Sequence, residues 1–139
     1  MANFERTDGY AVPLPERGTK KSAGYDLLST EDYVLIPGER HLFKTGVTCS
    51  MDDNEYLAIV PRSGLAIKSG VTVLNTPGTV DADYYPNEIG VVLYNTSDAD
   101  VEISVGDRIA QAILCEYKTM GMDFVKDVER TGGFGSTGK

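Results

Sequence analysis

Val101-Glu102-Ile103-Ser104-Val105-Gly106-Asp107-Arg108-Ile109-Ala110-Gln111, continuing to Tyr117, holds a strand, a turn and a second strand. Its first five residues alternate apolar and polar with period 2, the spacing of a half-buried strand. Gly106-Asp107 supplies turn chemistry, and Arg108 to Tyr117 resumes an apolar course. The same grammar recurs upstream. Asp32 to Ile36 stops at Pro37-Gly38, Arg40 to Met51 reads as one long strand, and Tyr56 to Val60 ends at Pro61. Ile89 to Asn95 is rich in β-branched and aromatic residues. Short strands punctuated this regularly predict an all-β fold, a jelly roll or distorted β-barrel. Ser63 to Ser69, an apolar cluster after a proline, is the candidate short helix, with room for one or two turns.

The totals set the frame. A chain of 139 residues predicts one domain, 1–139, with a core modest enough to profit from neighbouring subunits. Hydrophobic content of 41% and charged content of 24% fit a soluble globular protein. No apolar run is long enough to cross a bilayer, so no membrane partner is expected. Met1 to Arg6 lacks the basic and apolar regions of a secretory signal, which predicts a cytoplasmic protein, or one in the host cytoplasm if viral. A net charge of -8 argues against a nucleic-acid backbone binder, yet permits a small phosphorylated ligand held by local cations. Cys49 and Cys115 read as reduced, buried fillers. His41 is the only histidine, too few for a zinc site, and reads as structural.

Chemistry concentrates in five places. In Ala23-Gly24-Tyr25-Asp26-Leu27, Gly24 suits a turn, and Asp26 among apolar neighbours needs a cation or donors. In Pro61-Arg62-Ser63-Gly64, a helix start offers free amides, Arg62 a bidentate donor and Ser63 a hydroxyl, while Gly64 lets backbone approach an anion. In Asn75-Thr76-Pro77-Gly78-Thr79-Val80-Asp81-Ala82-Asp83-Tyr84, a turn precedes two carboxylates and an aromatic. Such carboxylates can orient a water, or simply face solvent in a loop. The backbone of Thr79 and Val80, with Gly90 opposite across a hairpin, suits the edge of a base. Gly106 to Gln111 reads as a turn into a core strand. Finally, Arg130 to Lys139 sets one arginine and one phenylalanine among glycines. Composition alone predicts a frayed tail. Beside the other four motifs it predicts a flexible lid, 130–139, closing on a ligand.

These five segments, in this order, resemble the five motifs of the trimeric dUTP pyrophosphatases, the dUTPases, over nearly the whole chain. The resemblance implies a jelly-roll homotrimer whose sites are shared between subunits. It implies Mg-dependent hydrolysis of dUTP to dUMP and pyrophosphate, which keeps uracil out of DNA and supplies the dTMP precursor. Asp81 then takes the place of the catalytic carboxylate, orienting water for attack at the α-phosphorus. Arg62, Ser63, Gly64 and Gln111 take the phosphate-binding positions, and Asp26 supports the Mg2+ water shell. Asn75, Thr79, Val80 and Gly90 surround uracil, Tyr84 packs under the deoxyribose, and Arg130, Phe134, Gly135, Ser136 and Thr137 close the site. Two departures stand out: Tyr85-Pro86-Asn87-Glu88 lengthens the hairpin by one residue, and the spacing from Arg130 to Gly132 is one shorter. A dCTP deaminase shares the expected fold but not the Asp-x-Asp-Tyr hairpin or this arm. A protein-binding module is the rival of another class, with the 85–88 tip as its surface.

Overall fold

The computed structural model describes residues 1–7, 9, 12–126 and 128–135. Eleven strands are present among them: β1 (Asn3–Arg6), β2 (Gly24–Leu28), β3 (Tyr33–Leu35), β4 (Arg40–Lys44), β5 (Val47–Ser50), β6 (Glu55–Val60), β7 (Val71–Val73), β8 (Gly78–Asp81), β9 (Gly90–Asn95), β10 (Val101–Ile103) and β11 (Arg108–Glu116). One helix, α1, spans Ser63–Ser69, as its sequence predicts. A 3-10 turn covers Ala82–Tyr84.

All strand pairs are antiparallel. They form a four-stranded sheet β2-β11-β6-β8, a three-stranded sheet β4-β9-β7, and two ribbons, β1-β5 and β10-β3. The expected jelly-roll arrangement is present as open sheets rather than a closed barrel. Inward faces supply one core that includes Leu27, Leu35, Phe43, Leu57, Ile59, Val73, Leu93 and Ile109. Each such aliphatic or aromatic side chain contributes about 1.5–3 kcal/mol by leaving water.

β9 shows how pattern becomes packing. Val91, Leu93 and Asn95 face inward on alternate positions, and Val92 and Tyr94 stand between them half-buried. Asn95 is buried and fully partnered: its Nδ2 donates to the Leu35 and Ala99 carbonyls at 2.9 and 2.8 Å, and its Oδ1 accepts from the Ser97 amide at 2.9 Å. β11 departs from strict alternation because a register shift lies between Arg108 and Ala110 against β2. The bulge lets the successive residues Ile109 and Ala110 both enter the core.

Four expectations need correction. The long strand from Arg40 to Met51 is two strands broken at Thr45-Gly46, where Gly46 takes φ 72°, a conformation open to glycine. Gly24 is not in a turn: it opens β2 and is buried. Thr79 to Asp81 lie on a strand, and β8 does not form a hairpin with β9. β8 pairs with β6, whereas β9 pairs with β4 and β7. Cys115 is only partly buried, although both cysteines are free thiols as expected.

Candidate active site

The splay of β8 away from β9 opens a cleft. β8 is the outer strand of its sheet, so one of its backbone edges is left for another partner. Asn75, Thr79, Val80, Asp81, Tyr84, Ile89 and Gly90 line a cavity of about 170 Å³ there, and Arg130, Gly133 and Phe134 cover it. The arm therefore rests on its own chain's cleft.

Close contacts hold this roof down. Arg130 Nη2 donates to Asp81 Oδ2, and its Nε donates to Asp83 Oδ1 at 2.7 Å. The arginine side chain is only 17% exposed, so both carboxylates neutralise a largely buried cation. A Cβ on Gly133 would come within 2.7 Å of Tyr84 Cε1, which only glycine avoids. Phe134 adopts φ 53°, a left-handed turn that costs about 1–2 kcal/mol, and its ring end lies 3.3 Å from where a Gly90 Cβ would stand. Gly90 also faces Leu42 Cδ1, at 2.7 Å from that same point. Tyr84 donates from its hydroxyl to the Glu88 carbonyl at 2.6 Å. Burial, and then the Glu88 charge, push its phenol pKa up, while Arg130 pulls it partly back.

A second cluster lies elsewhere on the four-stranded sheet. Arg62 Nε donates to Asp26 Oδ1 at 3.0 Å, both side chains being mostly covered. Gln111 Nε2 donates to the Pro61 carbonyl at 3.1 Å. Gln111 packs flat on Gly24, where a Cβ would lie 2.0 Å from its Oε1. Ser63 and Gly64 open α1 immediately after Arg62, and no side chain caps the first amides of that helix. Among the described residues no group of three or more His, Cys, Asp or Glu is set to hold a metal.

β6 measures the gap between the clusters. Asp81 pairs with Tyr56 at one end, Gln111 pairs with Val60 at the other, and Asp26 pairs with Gln111. The six steps from Tyr56 to Arg62 span roughly 20 Å of extended chain. None of Asp26, Arg62, Ser63, Gly64 or Gln111 lines the first cavity. Gly135 is in the arm with φ 100° but does not line it either. Ser136 and Thr137 lie outside the described residues.

The sequence reading missed Asp83, Ile89, Gly133 and Leu42. Asp83 stood in the acidic pair and Gly133 in a glycine doublet, so both carried a signal. Ile89 and Leu42 read only as strand residues. The longer 85–88 tip leaves Gly90 at the cavity, where it was expected.

The family profile described as dUTPase matches residues 11–138. This chain belongs to the dUTPase family. A deoxyuridine 5'-triphosphate nucleotidohydrolase of Nautilia profundicola is 47% identical over 130 residues, covering 91% of each chain. That of Clostridium tetani is 43% identical over 130 residues, 91% of this chain and 89% of the relative. Among solved structures, a dUTPase from Streptococcus mutans superposes with a TM-score of 0.79 at 31% identity, covering 84% of this chain and 97% of that one. A dUTPase from phage phi11 of S. aureus does so at 0.77 and 25% identity, over 93% and 98%. The dUTPase match displaces the deaminase alternative, and the chain is an enzyme of the dUTP nucleotidohydrolase class.

Proposed function

We propose that the chain hydrolyses dUTP to dUMP and pyrophosphate at the cleft between β8 and β9. The observation that carries this reading is the cavity itself: an unpaired strand edge, an acid, a tyrosine wall and a phenylalanine roof converge on it. The backbone at Thr79 and Val80 reads the uracil edge, with Gly90 opposite. Leu42 fills the space beside Gly90. A rigid set of backbone donors and acceptors rejects a mismatched base because polar groups are stranded, a discrimination that can reach ~10⁴. Asn75 supports the same wall. Tyr84 packs under the deoxyribose and obstructs a 2′-hydroxyl. Phe134 stacks on the base.

Asp81 orients a water for in-line attack at the α-phosphorus and accepts its proton, a contribution of ~10²–10⁴. With nucleotide present, Arg130 exchanges its carboxylates for the γ-phosphate, which frees Asp81 for that work. Residues 130–139 act as the lid of a single domain, with Gly135, Ser136 and Thr137 supplying phosphate donors. Closure excludes water and aligns the phosphates.

Arg62, Ser63, Gly64 and Gln111 bind phosphates. Their separation from Asp81 along β6, roughly 13 Å for Gln111 and roughly 20 Å for Arg62, supports a homotrimer in which one chain's base cleft meets another chain's phosphate cluster. Magnesium fits the donor set in one manner. Asp26 offers a single covered carboxylate, already accepting from Arg62, so it meets a hydrated ion through water and does not cage it. When bound, the ion neutralises charge on the phosphates. The two free thiols suit a reducing compartment, and the proposal puts the enzyme in the cytoplasm.

Pyrophosphate release measured across dUTP, dTTP, dCTP and UTP, with and without magnesium, tests the proposal. Release from dUTP alone, dependent on the ion, is the expected result. Equal release from dTTP or UTP contradicts the assigned cleft.

A further inference from the structure

Tyr84 is held at both ends. Its ring edge lies against Gly133, and its hydroxyl donates to the Glu88 carbonyl at 2.6 Å. Glu88 is in turn tied down by its own side chain: Oε2 accepts the Gly46 amide at 2.8 Å. Gly46 is buried, so this carboxylate satisfies an amide with little access to water. The neighbouring bonds follow the same course. The buried Thr45 hydroxyl donates to the Ile89 carbonyl at 2.6 Å, and the Ile89 amide donates to the Val47 carbonyl at 2.8 Å. Residues 88 and 89 are thereby stitched to the bend between β4 and β5, the glycine break that splits the long strand.

We propose that Glu88 is a positioning residue for sugar selectivity, its carboxylate anchoring the backbone oxygen that fixes the Tyr84 ring. This rests on the reading of Tyr84 as the deoxyribose wall. A ring pinned at its hydroxyl cannot rotate away from a 2′-hydroxyl, so UTP meets a rigid obstacle. Without the Gly46 anchor the 85–88 tip relaxes, the acceptor moves, and the ring yields. Glu88 is not itself a lining residue and meets the cavity only through its bond to Tyr84, so its effect acts through that ring.

The test is the ratio of kcat/KM for dUTP to that for UTP. Glu88→Ala lowers the ratio about fivefold, the size of one net hydrogen bond. Tyr84→Phe, which deletes the hydroxyl, lowers it by the same factor. The double variant lowers it no further than either single one, because both remove one device. Glu88→Gln keeps an oxygen for the Gly46 amide and retains the wild-type ratio. Should Glu88→Ala fail to fold by thermal melting, Glu88→Asp carries the test, being one methylene too short to reach Gly46. A wild-type ratio in Glu88→Ala or Glu88→Asp, beside a lowered ratio in Tyr84→Ala, overturns the proposal and leaves the sugar wall standing. A wild-type ratio in Tyr84→Ala overturns both. Equal losses in Glu88→Gln and Glu88→Ala also overturn it, since the anchor then depends on something other than an acceptor oxygen.

Discussion

Replacing Gly24 with alanine places a methyl group where Gln111 already lies. The new carbon would stand 2.0 Å from Gln111 Oε1, 2.8 Å from its Cδ and 3.0 Å from its Cβ. Relief requires the glutamine to swing away, which breaks its 3.1 Å hydrogen bond to the Pro61 carbonyl. The lost bond costs about 1 kcal/mol. Overpacking at a buried strand position costs about 1–3 kcal/mol more. The expected sum, about 2–4 kcal/mol, corresponds to a fall in melting temperature of roughly 10 °C for a chain of this size. All three close atoms belong to Gln111, so Gln111→Ala removes two of them and leaves only the 3.0 Å contact. In that background Gly24→Ala costs about 1 kcal/mol. Denaturant titration of the four proteins, at one fixed protein concentration, completes the cycle. A coupling energy of about 1–2 kcal/mol is expected. Kinetics provide a parallel readout: Gly24→Ala lowers kcat/KM for dUTP as much as Gln111→Ala does. Costs that add within about 0.5 kcal/mol would refute the direct clash.

Deleting residues 130–139 leaves a folded protein that binds nucleotide but turns over slowly, and a wild-type rate removes the lid from the mechanism. Burial, followed by the Glu55 and Glu5 charges, pushes the Cys49 thiol up to about 11. At pH 8 a thiol reagent therefore labels Cys115 first, and equal labelling contradicts the burial of Cys49. The Tyr33 hydroxyl bonded to the Glu39 carboxylate lowers the Glu39 pKa below 4.5 and raises that of Tyr33 above 10.0. The Glu39 contribution is present above pH 4.5 and is lost as pH falls through its lowered native value. The Tyr33 contribution is present below pH 10.0 and is lost as pH rises through its raised value. Tyr33→Phe should flatten the stability profile at both ends, and an unchanged profile in melting experiments excludes this bond as a contributor.

The strands most legible in the sequence were Val101–Ile103, through its period of two, and Gly90–Asn95, through its β-branched and aromatic content. Legibility failed where local chemistry competed with the sheet. Asn75-Thr76-Pro77-Gly78 announces a turn so strongly that the strand beginning at Gly78 is hidden behind it. Gly24 reads as a turn residue, but it is a glycine for a tertiary reason, the glutamine lying across it. The break at Gly46 is fixed by Glu88, forty-two residues away. In the cleft, side chains with intrinsic chemistry were legible: Asp81, Tyr84, Arg130 and Phe134. Ile89 was not, since an aliphatic at a cleft wall and one in the core look alike in sequence. The distance between Asp81 and Arg62 was equally hidden, because strand register, not spacing along the chain, sets it.

The most direct measurement compares Asp81→Asn with the unaltered enzyme, in dUTP turnover by pyrophosphate release and in affinity for a non-hydrolysable dUTP analogue by calorimetry. Turnover is predicted to fall at least ~10²-fold, while affinity stays within a few-fold, because the amide keeps the shape of the cleft and loses only the proton acceptor. Undiminished pyrophosphate release by Asp81→Asn would contradict the assignment of that carboxylate to the attacking water.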